Sequence, residues 1–157
     1  LSEAITAPIC HPKYYDPITG DTEWVSGAAF LISRAIYEAT GGFDPEFPLY
    51  GEDIDLSFRA RKAGFRCAVS SRSVFYHDIT HRIYIDDTSR RRAALIGNWY
   101  LCEKWGQREA ASRFKEELMR LGLDDAELPK VATREEPTPE LVDLFSRPRF
   151  ASSRFWE

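Results

Sequence analysis

The sequence predicts an α/β fold in which short strands alternate with amphipathic helices. Three observations lead to this class. The apolar run Trp24–Ile32 has small residues at its centre and the composition of a buried strand. Helical periodicity follows over residues 52–63 and again over residues 90–121. With 157 residues and 43% hydrophobic content, the chain is also long enough to bury a core.

The first predicted elements are a lead-in, a strand and a short helix. Residues 1–22 contain three prolines and show little periodicity, so we expect a loop-rich segment. In the predicted strand Trp24–Ile32, residues 27–29 are small and leave room for a ligand or another backbone. Ser33 is placed to cap a helix over residues 34–40, which Gly41 and Gly42 would end.

The second predicted helix, from about residue 52 to residue 63, has an unusually acidic first turn. Ile54 and Phe58 lie on one face, and Gly64 follows as a C-terminal cap. Glu52, Asp53 and Asp55 all lie near the helix start, where the positive end of the helix dipole favours ionised carboxylates. An isolated acidic pair of this kind is usually no more than a helix cap.

The remaining chain alternates between short and long elements. Strands are predicted at 65–69 and 73–76, and a polar loop at 78–88. A helix or helical pair then spans about 90–121, with an interruption near Gly106. After Gly122 the composition becomes charged and rich in proline, so we expect an extended tail that follows the body or links to another part.

Composition excludes several classes of function. The net charge is -4, which does not indicate a nucleic-acid partner. No apolar run reaches the roughly 20 residues of a membrane span. The three cysteines are widely separated and fit neither a disulfide framework nor a zinc site, which indicates a reducing compartment. We therefore expect a cytoplasmic protein, either free or peripheral at the inner face of a membrane.

Several motifs occur in an order that resembles the C-terminal half of family-two glycosyltransferases. They are Trp-x-Ser-Gly-Ala with a later Arg (24–34), Gly-Gly-Phe-Asp-x-x-Phe (41–47), Glu-Asp-x-Asp-Leu-x-x-Arg (52–59), Ala-Gly-Phe (63–65), a strand ending at His77, and Lys-Trp-Gly (104–106). These enzymes have the GT-A fold, invert the anomeric centre and use nucleotide-diphosphate sugars. The resemblance implies that residues 1–106 are the C-terminal half of a GT-A domain, and that residues 107–157 are a helical extension and tail.

The resemblance implies roles for the acidic residues. Asp53 matches the general base, which takes the proton from the acceptor hydroxyl. Glu52 would bind acceptor hydroxyls, and its charge would raise the pKa of Asp53. Asp55 lies about 200° around the helix from Asp53, so we expect a structural role in which it pairs with Arg59 at i+4.

The resemblance also implies a sugar and acceptor pocket lined by Trp24, Ser26 and Gly27. The indole of Trp24 can stack on a sugar ring, and the two small residues would admit the sugar. The alternative for Trp24 is a core position on a buried strand, and the residues favour neither interpretation.

A metal and diphosphate site is implied by His77, Arg82 and Arg90. His77 matches a histidine of the metal site, which would hold Mg²⁺ or Mn²⁺ together with an Asp-x-Asp motif. The alternative is a hydrogen-bonded structural histidine. Arg82 and Arg90 are candidates for neutralising the departing diphosphate, although a basic run such as 90–92 is more often a solvated helix start.

The implied partners are a nucleotide-sugar donor and a glycan or lipid-linked glycan acceptor in polysaccharide biosynthesis. The Asp pairs at 86–87 and 124–125 follow the Glu-Asp motif and are in the wrong order for the donor-side motif. We therefore expect the donor-binding, N-terminal half to lie outside this chain, the chain alone to be inactive, and an apolar edge to be exposed where that half docks. Two alternatives are a non-catalytic carbohydrate-binding or assembly module and a metal-dependent hydrolase using His77 and His81.

Overall fold

The computed structural model describes residues 18–70, 72–76 and 87–139. Helix predominates in these residues, and the strands are short, which gives a mixed α/β class. The elements are β1 (Asp21–Thr22), α1 (Arg34–Ala39), α2 (Glu52–Lys62), β2 (Cys67–Ala68), α3 (Asp87–Lys104), α4 (Arg108–Arg120) and a 3-10 turn at Asp125–Glu127. Strands β1 and β2 are antiparallel, with Asp21 opposite Ala68. Among the helices described, none is long and apolar enough to cross a membrane.

Helix α1 forms as its predicted cap residues indicate. The Ser33 hydroxyl accepts a hydrogen bond from the Ile36 amide at 3.3 Å, which satisfies one of the free amides at the helix start. The helix ends at Ala39, and Gly41 and Gly42 follow with φ of 77° and 71°. Such left-handed backbone favours glycine, so the helix ends where the sequence predicts.

Helix α2 is also confirmed, and its apolar face forms part of the core. Ile54, Leu56 and Phe58 are buried. The Phe58 ring meets the Trp105 indole edge-on, with 5.5 Å between ring centroids. Gly64 follows the helix with φ 86°, as expected of a C-terminal cap.

The predicted helical pair is confirmed as α3 and α4, which pack against each other. Helix α3 begins at Asp87, so residues 87 and 88 are helical and not part of the predicted loop. The other residues of that predicted loop, 78–86, lie outside the described part. Leu95 and Trp99 of α3 share a buried cluster with Leu118 of α4.

The segment after α4 follows the body as far as residue 139. Leu128 and Val131 pack against the cluster between α3 and α4. The Glu135 amide donates to the Lys104 carbonyl at 2.7 Å, and the Glu135 carboxylate pairs with Lys62 at 2.8 Å. The predicted extended tail is thus confirmed for its described part.

The strand predictions were largely wrong. Residues 24–32 form a loop, in which Leu31 is fully exposed. Only Cys67–Ala68 of the predicted strand 65–69 forms a strand. Residues 73–76 have no strand partner among the described residues, and Val74 and Tyr76 are exposed. An extended segment becomes a strand only when a neighbour supplies ladder hydrogen bonds. In residues 18–70, 72–76 and 87–139, the β1–β2 pair is the one such ladder.

Candidate active site

The acidic pair Glu52–Asp53 lies in the first turn of α2, facing the loop that contains residues 24–29. The Gly27 amide donates to Asp53 Oδ2 at 2.7 Å, and the Ile54 amide donates to Oδ1 at 2.8 Å. The Ser57 hydroxyl donates to the Asp53 carbonyl at 2.7 Å and accepts from the Val25 amide at 3.2 Å. Side chains of α2 thus bind the amides of Val25 and Gly27, and these two amides are not available to a neighbouring strand.

Burial changes the acidity of both carboxyls. The pKa of Asp53 is raised by burial, although the amides of Gly27 and Ile54 oppose this rise. The pKa of Glu52 is also raised, first by burial and then by the charge of Asp53. The predicted direction for Asp53 is therefore confirmed, but its main cause is desolvation and not the charge of Glu52.

Glu52 has one carboxylate oxygen that is buried and lacks a partner. Its Oε2 is shielded from solvent and meets no hydrogen-bond donor in the part of the chain that the structure describes. A buried polar atom without a partner is costly, so each such case calls for an explanation.

A mostly apolar pocket of about 130 Å³ adjoins Asp53. It lies between the 25–33 loop, α1, α2 and β2. Its apolar lining consists of Val25, Phe30, Leu31, Ile32, Ile36, Leu56, Ala60, Phe65, Cys67 and Ala68. Asp53 is the one acidic residue in the lining given by these described residues, so the carboxylate stands at the border between polar and apolar surface.

The predicted pocket residues come together beside the acidic pair, but in different environments. Trp24 is half-buried and packs against the core cluster that contains Ile54, Phe58 and Trp105. This contact fits the core alternative, and sugar stacking by Trp24 stays a prediction. Ser26 is half-buried, and its hydroxyl accepts from the Ala28 amide at 3.3 Å. Gly27 is exposed and contacts Asp53 directly.

Asp55 is fully buried and makes the i+4 pair with Arg59 that the sequence predicts. The distance from its carboxylate to Arg59 Nη2 is 2.7 Å. The same carboxylate accepts hydrogen bonds from Lys104 Nζ and Trp105 Nε1, both at 3.0 Å. The prediction missed these last two partners. A carboxylate flanked by apolar residues needs several donors, and the Lys-Trp pair offers a cation and an indole N–H.

Lys104 connects this buried carboxylate to a second one, Asp44. Lys104 Nζ lies 2.7 Å from Asp44 Oδ2, which also accepts from the Tyr100 hydroxyl at 3.0 Å. Burial acts to raise the pKa of Asp44, but the bonds from Lys104, the Glu46 amide and Tyr100 outweigh it and hold the pKa below its usual value. The pKa of Tyr100 is raised, by burial and by Asp44.

The predicted metal and diphosphate residues are only partly described. His77 and Arg82 lie outside the described residues. Arg90 is half-buried near the start of α3, while Arg91 and Arg92 pair with Glu117 and Glu127 at 2.6 and 3.1 Å. Within the described ranges, no group of three His, Cys, Asp or Glu side chains is arranged to hold a metal ion.

A family profile matches the segment of this chain that contains the acidic pair, and two curated proteins resemble part of the chain. The profile described as "Glycosyltransferase like family 2" matches residues 19–98, just over half of the chain. The chain is 36% identical over 63 residues to the N-acetylglucosaminyl-diphospho-decaprenol L-rhamnosyltransferase of Mycobacterium tuberculosis. It is 31% identical over 71 residues to the O-antigen biosynthesis protein RfbC of Myxococcus xanthus. No solved structure matches.

These matches place the chain among glycosyltransferase sequences. It belongs to glycosyltransferase-like family 2. The matches to the two relatives each cover 40% of this chain. They cover only 20% of the mycobacterial protein and 6% of the Myxococcus protein. The chain thus spans a small part of the length of the relatives that it matches.

Proposed function

We propose that this chain is the acceptor-side part of an inverting glycosyltransferase with the GT-A fold, and that Asp53 is its general base. In the reaction, an acceptor oxygen bonds to the anomeric carbon as the bond from that carbon to the nucleotide diphosphate breaks. The proton of the acceptor hydroxyl passes to Asp53. The observation that carries the proposal is the placement of Asp53, a half-buried carboxylate with a raised pKa at the edge of a pocket.

The bonds around Asp53 suit proton abstraction. A carboxylate has about four lone-pair positions on its two oxygens. The amides of Gly27 and Ile54 each occupy one lone-pair position, on Oδ2 and Oδ1 respectively, and so fix the plane of the carboxylate. Positions remain for the acceptor proton. The raised pKa also makes this carboxylate a stronger base.

Glu52 is the proposed ligand for acceptor hydroxyls. Its buried Oε2 lacks a donor among the described residues. A rotation of the Glu52 side chain would bring this atom to a sugar hydroxyl, and binding there would place the neighbouring hydroxyl near Asp53. Ser26, Gly27 and Trp24 complete the proposed sugar-binding segment at the same end of α2.

The apolar pocket supports a docking site for the donor-binding half. Residues 24–32 have the composition of a buried strand, yet Leu31 is fully exposed and the segment has no strand partner among the described residues. Phe30, Ile32 and Phe65 line the same pocket. We therefore propose that the nucleotide-binding half of the enzyme covers this surface and pairs with residues 24–32.

The proposed substrates are a nucleotide-diphosphate sugar and a glycan or lipid-linked glycan. The lipid-linked acceptor is proposed by analogy with the mycobacterial relative, whose name specifies a diphospho-decaprenol acceptor. A lipid-linked acceptor implies action at the cytoplasmic face of a membrane. The residues described form no three-ligand metal group. The proposed Mg²⁺ or Mn²⁺ therefore depends on His77 and on an Asp-x-Asp motif outside this chain, and Arg82 and Arg90 remain proposed diphosphate ligands.

Transfer by the full-length protein tests this proposal. The donors are dTDP-L-rhamnose, UDP-glucose, UDP-N-acetylglucosamine and GDP-mannose, and the acceptor is a short-chain N-acetylglucosaminyl-diphosphoprenol. Nucleotide release and product NMR report rate and inversion. Asp53→Asn should lower kcat by roughly 10²–10⁴-fold, because it removes the base. Asp21→Asn, at an exposed carboxylate paired with Arg66, is the matched control.

Two outcomes would contradict the proposal. Transfer that survives Asp53→Asn would remove the base assignment. Glycan binding without turnover of any donor, unchanged by Asp53→Asn, would favour the carbohydrate-binding or assembly module. Residues 1–157 expressed alone should release no nucleotide, and turnover by this fragment would contradict the docking of a separate donor half.

A further inference from the structure

One face of α3 holds the loop that leads into the acidic pair. Gly97, Tyr100 and Lys104 are spaced three and four residues apart, so they share a face of the helix. Each of them contacts the loop of residues 44–51 or the first turns of α2. We call these three residues the α3 face.

Gly97 allows an approach that no other residue would permit. A Cβ at this position would lie 2.3 Å from the Tyr50 carbonyl oxygen and 2.4 Å from that of Leu49. Both neighbours are backbone atoms, so a side chain would have to push the loop away. Alanine is otherwise favoured over glycine within a helix. Only the approach of the loop makes glycine the better residue here.

The loop at this contact has an unusual backbone. Tyr50 has φ 63° and Gly51 has φ 96°, and both values are left-handed. A bulky residue such as tyrosine seldom adopts this conformation unless its surroundings hold it there. Gly51 is the residue directly before Glu52, so the contact with Gly97 adjoins the start of α2.

The other two residues of the α3 face hold the opposite end of the loop and α2 itself. Tyr100 and Lys104 both bind the Asp44 carboxylate. The Tyr100 ring also meets the Phe47 ring edge-on, with 4.8 Å between centroids. Lys104 reaches Asp55, two residues after Asp53, at 3.0 Å. Contacts with α3 thus lie on both sides of the acidic pair along the chain.

We propose that the α3 face is a positioning device that sets the place of Glu52 and Asp53 relative to the acceptor. This inference rests on the proposed role of Asp53 as the base. Gly97, Tyr100 and Lys104 touch no reacting atom and act through the loop and α2. Two of them, Tyr100 and Lys104, lie beyond the segment matched by the family profile, which ends at residue 98.

The size of the effect follows from the distances at Gly97. An ordinary contact begins at 3.4 Å, so a Cβ placed at 2.3 Å requires a movement of about 1 Å. A displacement of about 1 Å at a catalytic group can cost on the order of 100-fold in rate. Gly97→Ala should therefore lower kcat about 100-fold while KM for the nucleotide sugar stays within about 2-fold, because the nucleotide is proposed to bind outside this chain and Arg90 lies about two helical turns from Gly97.

The experiment compares Gly97→Ala with Gly122→Ala in the full-length protein, using the donors and acceptor given above. Gly122 has φ 78° and no atom within 4 Å of its added Cβ. Its alanine variant therefore introduces backbone strain without touching the site, so it should melt earlier and keep its kcat. If Gly97 had only a structural role, its alanine variant would also melt earlier, because the added Cβ meets the loop backbone, but it would keep a normal kcat.

A second pair of variants keeps the test decisive if Gly97→Ala does not fold. Tyr100→Phe removes only the hydroxyl that binds Asp44, and Lys104→Met removes the charge and keeps the length of the side chain. Both should lower kcat with little change in KM. Suppose that Asp53→Asn is inactive, as the base assignment requires. A normal kcat in folded Tyr100→Phe and Lys104→Met, or in folded Gly97→Ala, then overturns the inference. An active Asp53→Asn variant instead overturns the base assignment on which the inference rests.

Discussion

Asp55→Asn is the substitution whose effect the structure defines most sharply. The carboxylate is fully buried and accepts hydrogen bonds from Arg59, Lys104 and Trp105. Asparagine keeps the shape but loses the charge, and it presents an amide N–H₂ where one oxygen had accepted a bond. One of the three donors then faces another donor at contact distance.

The magnitude follows from what the partners retain. Removing one member of a buried ion pair typically costs about 3–5 kcal/mol, since the other charge stays buried and unpaired. Here Lys104 keeps Asp44 at 2.7 Å, and Arg59 keeps the Thr40 carbonyl. We therefore expect the lower end of the range, about 3 kcal/mol of unfolding free energy.

Urea unfolding of the purified protein, followed by tryptophan fluorescence, measures this loss. For a slope of about 2 kcal/mol per molar urea, the midpoint should fall by about 1.5 M. The matched control is Lys62→Met, which breaks the ion pair between Lys62 and Glu135. The Lys62 side chain is 39% exposed in this pair. Exposed pairs contribute about 0–1 kcal/mol. If Asp55→Asn cost no more than Lys62→Met, the buried network would not contribute to the stability of the fold.

Three further predictions concern the same region. Burial raises the pKa values of Asp53 and Glu52 above 3.8 and 4.5, so the folded state binds more protons and stability falls as pH rises through the raised values. The pH dependence of urea unfolding should therefore be flatter in Asp53→Asn than in the parent; an unchanged slope would contradict the burial of Asp53. Ser57→Ala removes the partner of the Val25 amide and should cost about 1 kcal/mol, with faster hydrogen exchange at that amide. Ser33→Ala removes the α1 cap and should also cost about 1 kcal/mol in urea unfolding, whereas Ser33→Asp should retain most of the stability.

Helices α1 and α2 were predictable because their causes are local. A capping serine, a glycine after the last turn and apolar residues at i and i+4 all lie within a few positions of the helix that they define. The pairing of Asp55 with Arg59 was predictable for the same reason, since both lie on one helix and are four residues apart.

The strand prediction at residues 24–32 failed because a strand depends on a distant partner. Composition shows that the segment is apolar, but it does not show which backbone will face it. In this structure the amides of Val25 and Gly27 bind side chains of α2. The partners of Asp55 at positions 104 and 105 were missed for a similar reason, because about 50 residues separate them from it along the chain.

The sequence by itself determined the order of the motifs, the caps of α1 and α2, and the acidic first turn that contains Asp53. Only the tertiary structure decided that burial raises the pKa of Asp53, that Gly27 donates to its carboxylate, and that Gly97 of α3 meets the backbone just before α2. The reason is physical. Caps and periodicity depend on neighbours along the chain, whereas desolvation and close backbone approach depend on atoms that folding brings together from distant positions.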